Sequence, residues 1–275
     1  MAKRQEKPQV AVASTSSVPL QLPEKQRALF HEVLVSLEEQ DRNYAVAGAF
    51  ALRHHTGISR FTKDLDIFLT PQNVSDALRS LQQNGFDCEV RDPVWLAKAH
   101  RDGYFVDLIT GMSNGAIGVD DSWIQRAHPA QLLGVDTRVL AAEELLASKL
   151  FVTRRERFDG ADIAHIVFAT GGKLDWERVL QLAGEHWELV LWALMLFRYV
   201  YPAQSGYIPA QLWQELLGRF AEQIRVPDPK ASFRGSLIDD AMFAIDVEEW
   251  GLENILEKYR ARRQKIAFSA GASCS

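Results

Sequence analysis

Apolar and polar positions along this chain follow two rhythms, and the switch between them divides it. Behind Pro23, which suits a helical first turn, Leu29, Phe30, Val33, Leu34 and Leu37 recur at helical spacing and predict an amphipathic helix ending near Asp41. Tyr44-Ala45-Val46-Ala47 then reads as a short strand running into Gly48, and residues 49–55 as a helix stopped by Gly57. Residues 62–70 open with charge and close as an apolar run, the mark of a strand. A helix over 71–85 carries Val74, Ala77, Leu78 and Leu81 on one face, with Gly85 beyond its end. A strand over 86–90 follows, then an ambiguous stretch at 94–99. The Asp102-Gly103 turn signal opens a strand over 104–109, and residues 135–139 supply one more.

From Ala141 the period becomes helical. Leu145, Leu146 and Leu150 form a stripe on which Lys149 also falls. Further helices are expected around residues 163–167, 176–182, 187–201 and 212–224, with a final pair reaching Lys265. Within them Trp187, Trp192 and Phe197 read as core rather than as a platform for stacking bases. The pattern gives an α+β unit over residues 23–136 and an all-helical unit over 137–266. Tails over 1–22 and 267–275 are expected to be disordered.

Composition narrows the class. A chain of 275 residues with 47% hydrophobic and 24% charged residues is long enough to bury a substantial core. A net charge of −5 argues against a broad nucleic-acid surface, though not against a local basic site such as Arg154, Arg155 and Arg157. Those arginines read first as a solvated face. Two cysteines, Cys88 and Cys274, form neither a disulfide framework nor a zinc cluster, which fits a cytoplasmic protein. The apolar stretch 188–201 is interrupted by Arg198 and too short to span a bilayer, so no membrane association is expected.

The candidate chemistry centres on Asp64-Leu65-Asp66. Side chains two apart on a strand share a face, so Asp64 and Asp66 stand side by side. Two neighbouring carboxylates repel unless a cation lies between them, and a divalent metal is the usual solution. Read alone, the pair also fits a solvated strand end. Asp107 is a lone acid flanked by Val106 and Leu108, and it needs a metal, a cation or a hydrogen-bond partner unless it faces water. Gly48, between a strand and a helix, makes a turn where backbone N–H groups can face an anion, although many such turns serve packing alone. His54 and His55, adjacent on one helix, have the wrong spacing to share a metal on one helix face.

The order of Gly48, Arg60, Asp64/Asp66, Asp107 and Lys149 resembles the nucleotidyltransferase superfamily with a DNA-polymerase-β-like fold. The segments Val46–Leu52 and Arg60–Ile67 look like the branch holding AbiEii-type toxins and lincosamide nucleotidyltransferases. The segment Glu143–Leu150 is similar to the helix after the catalytic unit in the AbiEii-like group. The resemblance implies a mixed sheet with flanking helices followed by a helical domain. It further implies two Mg²⁺ ions held by Asp64 and Asp66, with Asp107 completing one metal site and helping to deprotonate the attacking hydroxyl. NMP would move from an NTP to an acceptor hydroxyl on RNA (such as a tRNA 3′ end), protein or a small molecule. Gly48, Ala49, Arg60, Lys63 and Lys149 would contact the nucleotide, and a toxin role would bring an antitoxin partner. Many members carry Ser or Gly after the first glycine; here that position is Ala49, so the turn must act through backbone N–H groups alone. Two other readings are a non-catalytic nucleotide-binding or protein-interaction module that keeps the fold, and a metal-dependent phosphohydrolase.

Overall fold

The computed structural model describes residues 22–39 and 43–269. The expected tails lie outside these residues except for Leu22 and residues 267–269, and of the latter Phe268 packs against the core. Cys274 also lies outside; Cys88 is a free, half-buried thiol.

Helix α1 (Glu24–Glu39) buries Leu29, Phe30, Val33, Leu34 and Leu37, the stripe that its periodicity predicts. Strand β1 (Tyr44–Val46) leads into α2 (Gly48–Thr56), which ends where Gly57 adopts a left-handed φ of 73°. Strand β2 (Asp64–Leu69) carries the acid pair and passes to α3 (Pro71–Gln83). Three strands follow: β3 (Asp87–Asp92), β4 (Leu96–Arg101) and β5 (Tyr104–Ile109). The stretch that is ambiguous in sequence thus becomes β4. Its hairpin to β5 turns on Asp102 and Gly103, with φ of 54° and 81°, the positive pair of a type I′ turn.

A short helix α4 (Asp121–Gln125) precedes β6 (His128–Leu132) and β7 (Val135–Val139). The order across the seven-stranded sheet is β3-β4-β5-β2-β1-β7-β6. It is mixed: β2/β5 and β1/β7 are parallel and the other pairs antiparallel. The expected unit boundary at residue 136 falls inside β7, which pairs with both β1 and β6. Strand β6 has no counterpart in the sequence expectations, because Pro129 breaks its pattern; as an edge strand it tolerates the missing donor.

Helix α5 (Ala142–Lys149) starts the second part of the chain. A two-stranded hairpin of β8 (Thr153–Arg154) and β9 (Arg157–Phe158) interrupts the helical run. Then come α6 (Gly160–Ala169), α7 (Trp176–Ala183), α8 (Trp187–Val200) and α9 (Ala210–Arg225). The final helices are short: α10 (Gly235–Ile238), α11 (Ala244–Glu248) and α12 (Leu256–Ala261). Trp187 and Phe197 are buried as expected, but Trp192 is not: it is 47% exposed and lies beside Phe158 at 6.4 Å between ring centroids. One continuous core runs from α1 through the sheet to α8 and α9. Glu144, fully buried, anchors α5 through Arg178 at 2.8 Å and Arg126 at 3.2 Å. Among the described residues no helix is long and apolar enough to cross a membrane.

Candidate active site

The topology assembles the acids. β2 and β5 are sheet neighbours although β3 and β4 lie between them in sequence, and their parallel register sets Asp66 opposite Asp107. Asp64 is two residues before Asp66 on the same strand, hence on the same face. Each of the three offers a carboxylate oxygen, and these oxygens lie within 4.8 Å of one another. Thr62 orients Asp64 by donating to its Oδ1 at 2.7 Å, while Gln26 on α1 fixes the Thr62 carbonyl at 3.0 Å.

Gly48 sits directly against this cluster. Its φ is +55°, and a Cβ there would lie 1.8 Å from Asp66 Oδ2. Glycine is therefore required at this turn both by backbone conformation and by the approach of the carboxylate. The residue also begins α2, whose first-turn N–H groups have no intrahelical acceptors. Gly48 and Ala49 line the same cleft as the acids.

Crowding three acids in a desolvated place has an electrostatic cost. Burial, then the Asp64 and Asp107 charges, push Asp66 up to about 7, with Arg157 and Lys149 pulling the other way. Burial also raises Asp107, opposed by Lys98. Lys98 stands opposite Asp107 in the β4/β5 register and approaches its Oδ1 to 2.5 Å. Its Nζ also lies 4.4 Å from the centre of the Phe105 ring. Lys98 has no place in the sequence expectations, because it falls in the ambiguous stretch; strand alternation opposite Asp107 is the signal that could have found it.

The expected phosphate contacts have partners of their own. Arg60 donates to both carboxylate oxygens of Asp162, at 2.9 and 2.7 Å. Lys149, buried on its helical stripe, reaches Asp159 at 2.9 Å and Asp162 at 2.7 Å. Arg157 joins Asp159 at 3.1 Å. These five residues form one network along the cleft wall, and Asp159 and Asp162 are its unforeseen members. Lys63 is exposed at the cleft edge, and Arg154 and Arg157 line the cleft as well. Those two arginines are exposed, as a solvated face would be, yet both face the site.

The cleft has a volume of about 710 Å³. The three aspartates form an acidic patch in it, and Trp95, Phe105 and Phe151 contribute aromatic surface. Such an arrangement can hold a divalent cation on oxygen ligands beside a space for a ring-bearing molecule.

Among solved structures, the chain is similar to the antibiotic-resistance factor ANT(2″)-Ia, with 15% identity over 62% of this chain and 95% of that one, at a TM-score of 0.43. It is also similar to the lincosamide antibiotic adenylyltransferase LnuA, with 18% identity over 54% and 97% of the two chains and a TM-score of 0.38. An antigenic nucleotidyltransferase-like protein from Paracoccidioides brasiliensis shares 17% identity over 71% and 94%, at a TM-score of 0.44. No curated protein matches by sequence. The family model DUF6036, described as a nucleotidyltransferase of unknown function, matches residues 24–202, from α1 to just past α8, and the chain belongs to that family.

Proposed function

We propose that this protein transfers a nucleotidyl group from an NTP to the hydroxyl of a small-molecule acceptor, at a Mg²⁺ centre held by Asp64, Asp66 and Asp107. The observation that carries the reading is the convergence of three carboxylates within 4.8 Å in a cleft. The donor set fits magnesium: it is all oxygen, and Asp66 is pushed up to about 7 by burial and by its two neighbours when no cation lies among them. When bound, Mg²⁺ supplies neutralisation of the triphosphate charge.

The chain's own residues position the reactants. The acceptor oxygen forms a bond to the α-phosphorus while the bond from that phosphorus to the leaving oxygen breaks, releasing pyrophosphate. The hydroxyl proton passes to Asp107, which stands opposite Asp66 in the sheet. Backbone N–H groups at Gly48 and Ala49, together with Lys63 and Arg60, face the triphosphate. Lys149 acts from behind, fixing Asp159 and Asp162 and through Asp162 the Arg60 guanidinium.

A cleft of about 710 Å³ lies within the range of small-molecule sites. That volume and the net charge of −5 favour a small acceptor over an extended RNA. The test is incubation with α-labelled NTPs, Mg²⁺ and separated small-molecule, RNA and protein fractions of a cell extract. Label in the small-molecule fraction is the expected result. Label confined to RNA or protein overturns the acceptor, and label in none overturns the transferase reading.

A further inference from the structure

A second cluster of potential ligands lies outside the acidic centre. His54 and His55 are in the last turn of α2, and His128 is the first residue of the edge strand β6. One ring nitrogen from each lies within 4.8 Å of the other two. The ring centroids are 4.9 Å apart for His54–His55, 6.3 Å for His54–His128 and 5.5 Å for His55–His128. Adjacent positions on a helix diverge, which is why the two α2 histidines look incompatible in sequence. The third imidazole, brought from β6, lies against both.

One member of the cluster has its tautomer set. His55 Nε2 lies 2.7 Å from the Leu140 carbonyl oxygen, so Nε2 carries the proton and Nδ1 keeps a free lone pair. Leu140 is itself fixed, its N–H donating to the Val46 carbonyl at 2.9 Å. A backbone carbonyl that sets the tautomer of a neutral imidazole is the usual outer support of a histidine metal ligand. A tetrahedral zinc with Zn–N near 2.0–2.1 Å holds its nitrogens about 3.4 Å apart. His54 and His128 are exposed, which leaves their side chains room to rotate towards that spacing.

We infer that His54, His55 and His128 form a site for a divalent transition metal of the Zn²⁺ class, with one coordination position open to water. Three imidazoles select such an ion over Mg²⁺, which prefers oxygen. The two centres are kept apart by α2 itself. Gly48 at one end abuts Asp66 and the histidines stand at the other, a separation of roughly 10 Å at about 1.5 Å per residue. An ion here ties the end of α2 to the sheet edge, at the point where the segment leading to Arg60 and Lys63 begins.

The experiment is calorimetric titration of the untagged full chain with ZnCl₂ at neutral pH, with excess Mg²⁺ present to occupy the acidic centre. One equivalent of Zn²⁺ is expected to bind. His128→Gln and His54→Gln, both at exposed positions, are each expected to weaken it about tenfold or more. Asp66→Asn is expected to leave it unchanged. Absence of Zn²⁺ binding to the parent chain overturns the inference. So does binding that survives both histidine variants but is lost in Asp66→Asn. Substituting Co²⁺ reads the ligands directly: intense tetrahedral absorption supports the imidazole site, and the weak spectrum of an octahedral oxygen site contradicts it.

Discussion

Asp66 fills the place a side chain on Gly48 would need: a Cβ on the glycine would sit 1.8 Å from a carboxylate oxygen of the aspartate. The glycine turn and the acid pair are therefore one structural unit. Gly48→Ala must move Asp66 and also adopt a φ of +55° with a side chain. The expected cost is about 1–3 kcal/mol of stability, together with loss of Mg²⁺-dependent stabilisation. Thermal melts with and without Mg²⁺ measure both. An unchanged Mg²⁺ response in Gly48→Ala would separate the turn from the acids.

Lys149 is enclosed by Asp159 and Asp162 and is itself buried. Removing its charge leaves Asp159 with Arg157 and Asp162 with Arg60, so Lys149→Met is expected to destabilise by about 1–3 kcal/mol. Combining it with Asp162→Asn should recover part of that loss, because the second change removes one of the two carboxylates that Lys149 neutralises. Urea denaturation of the two single variants and the double variant gives the coupling directly.

Lys98 takes the Asp107 oxygen that a cation bound at the proposed centre would need. Lys98→Met is expected to lower stability by about 1–2 kcal/mol without metal and to strengthen Mg²⁺ binding several-fold. Mg²⁺ titration followed by thermal shift checks this, and weaker binding in the variant would assign Lys98 a supporting role instead.

His186 is buried, its Nε2 has no hydrogen-bond partner among the described residues, and its ring meets Phe151 edge-on at 5.0 Å. Burial lowers its pKa below the ordinary 6.5. The unfolded chain then binds the proton more readily than the folded one. The stability His186 contributes is complete above pH 6.5 and declines as pH falls from there through its folded pKa. Asp66, pushed up to about 7, acts in the opposite sense over part of that range. The informative quantity is therefore the difference between the parent and His186→Gln. Its denaturation midpoint is expected to lose less on going from pH 7.5 to 5 than the parent's.

Local pattern made much of this legible from sequence. The apolar run after Asp64, the stripe on α1 and the turn at Asp102-Gly103 each carry their structure in a few neighbouring residues. Each acid stood out locally, as a carboxylate in or beside an apolar run, but their grouping came from the order of motifs in the family resemblance. Long-range partners were not legible in this way. Asp162 lies 102 residues from Arg60, and nothing near Arg60 announces it. Lys98, only 9 residues from Asp107, was hidden instead by the ambiguous pattern of its Ala-Lys-Ala stretch, while distance in sequence hid His128 from the pair on α2. Trp192 looked like core because its neighbours are apolar, yet the face of α8 it occupies points outward.

Nucleotidyl transfer by the three aspartates is distinguished from other phosphoryl chemistry by parallel reactions with α-labelled and γ-labelled NTP, in the parent chain and in Asp66→Asn. An acceptor is expected to take the α-label but never the γ-label, with a rate about a hundredfold or more lower in Asp66→Asn. Transfer of the γ-label, or α-label transfer undiminished in Asp66→Asn, would contradict that assignment.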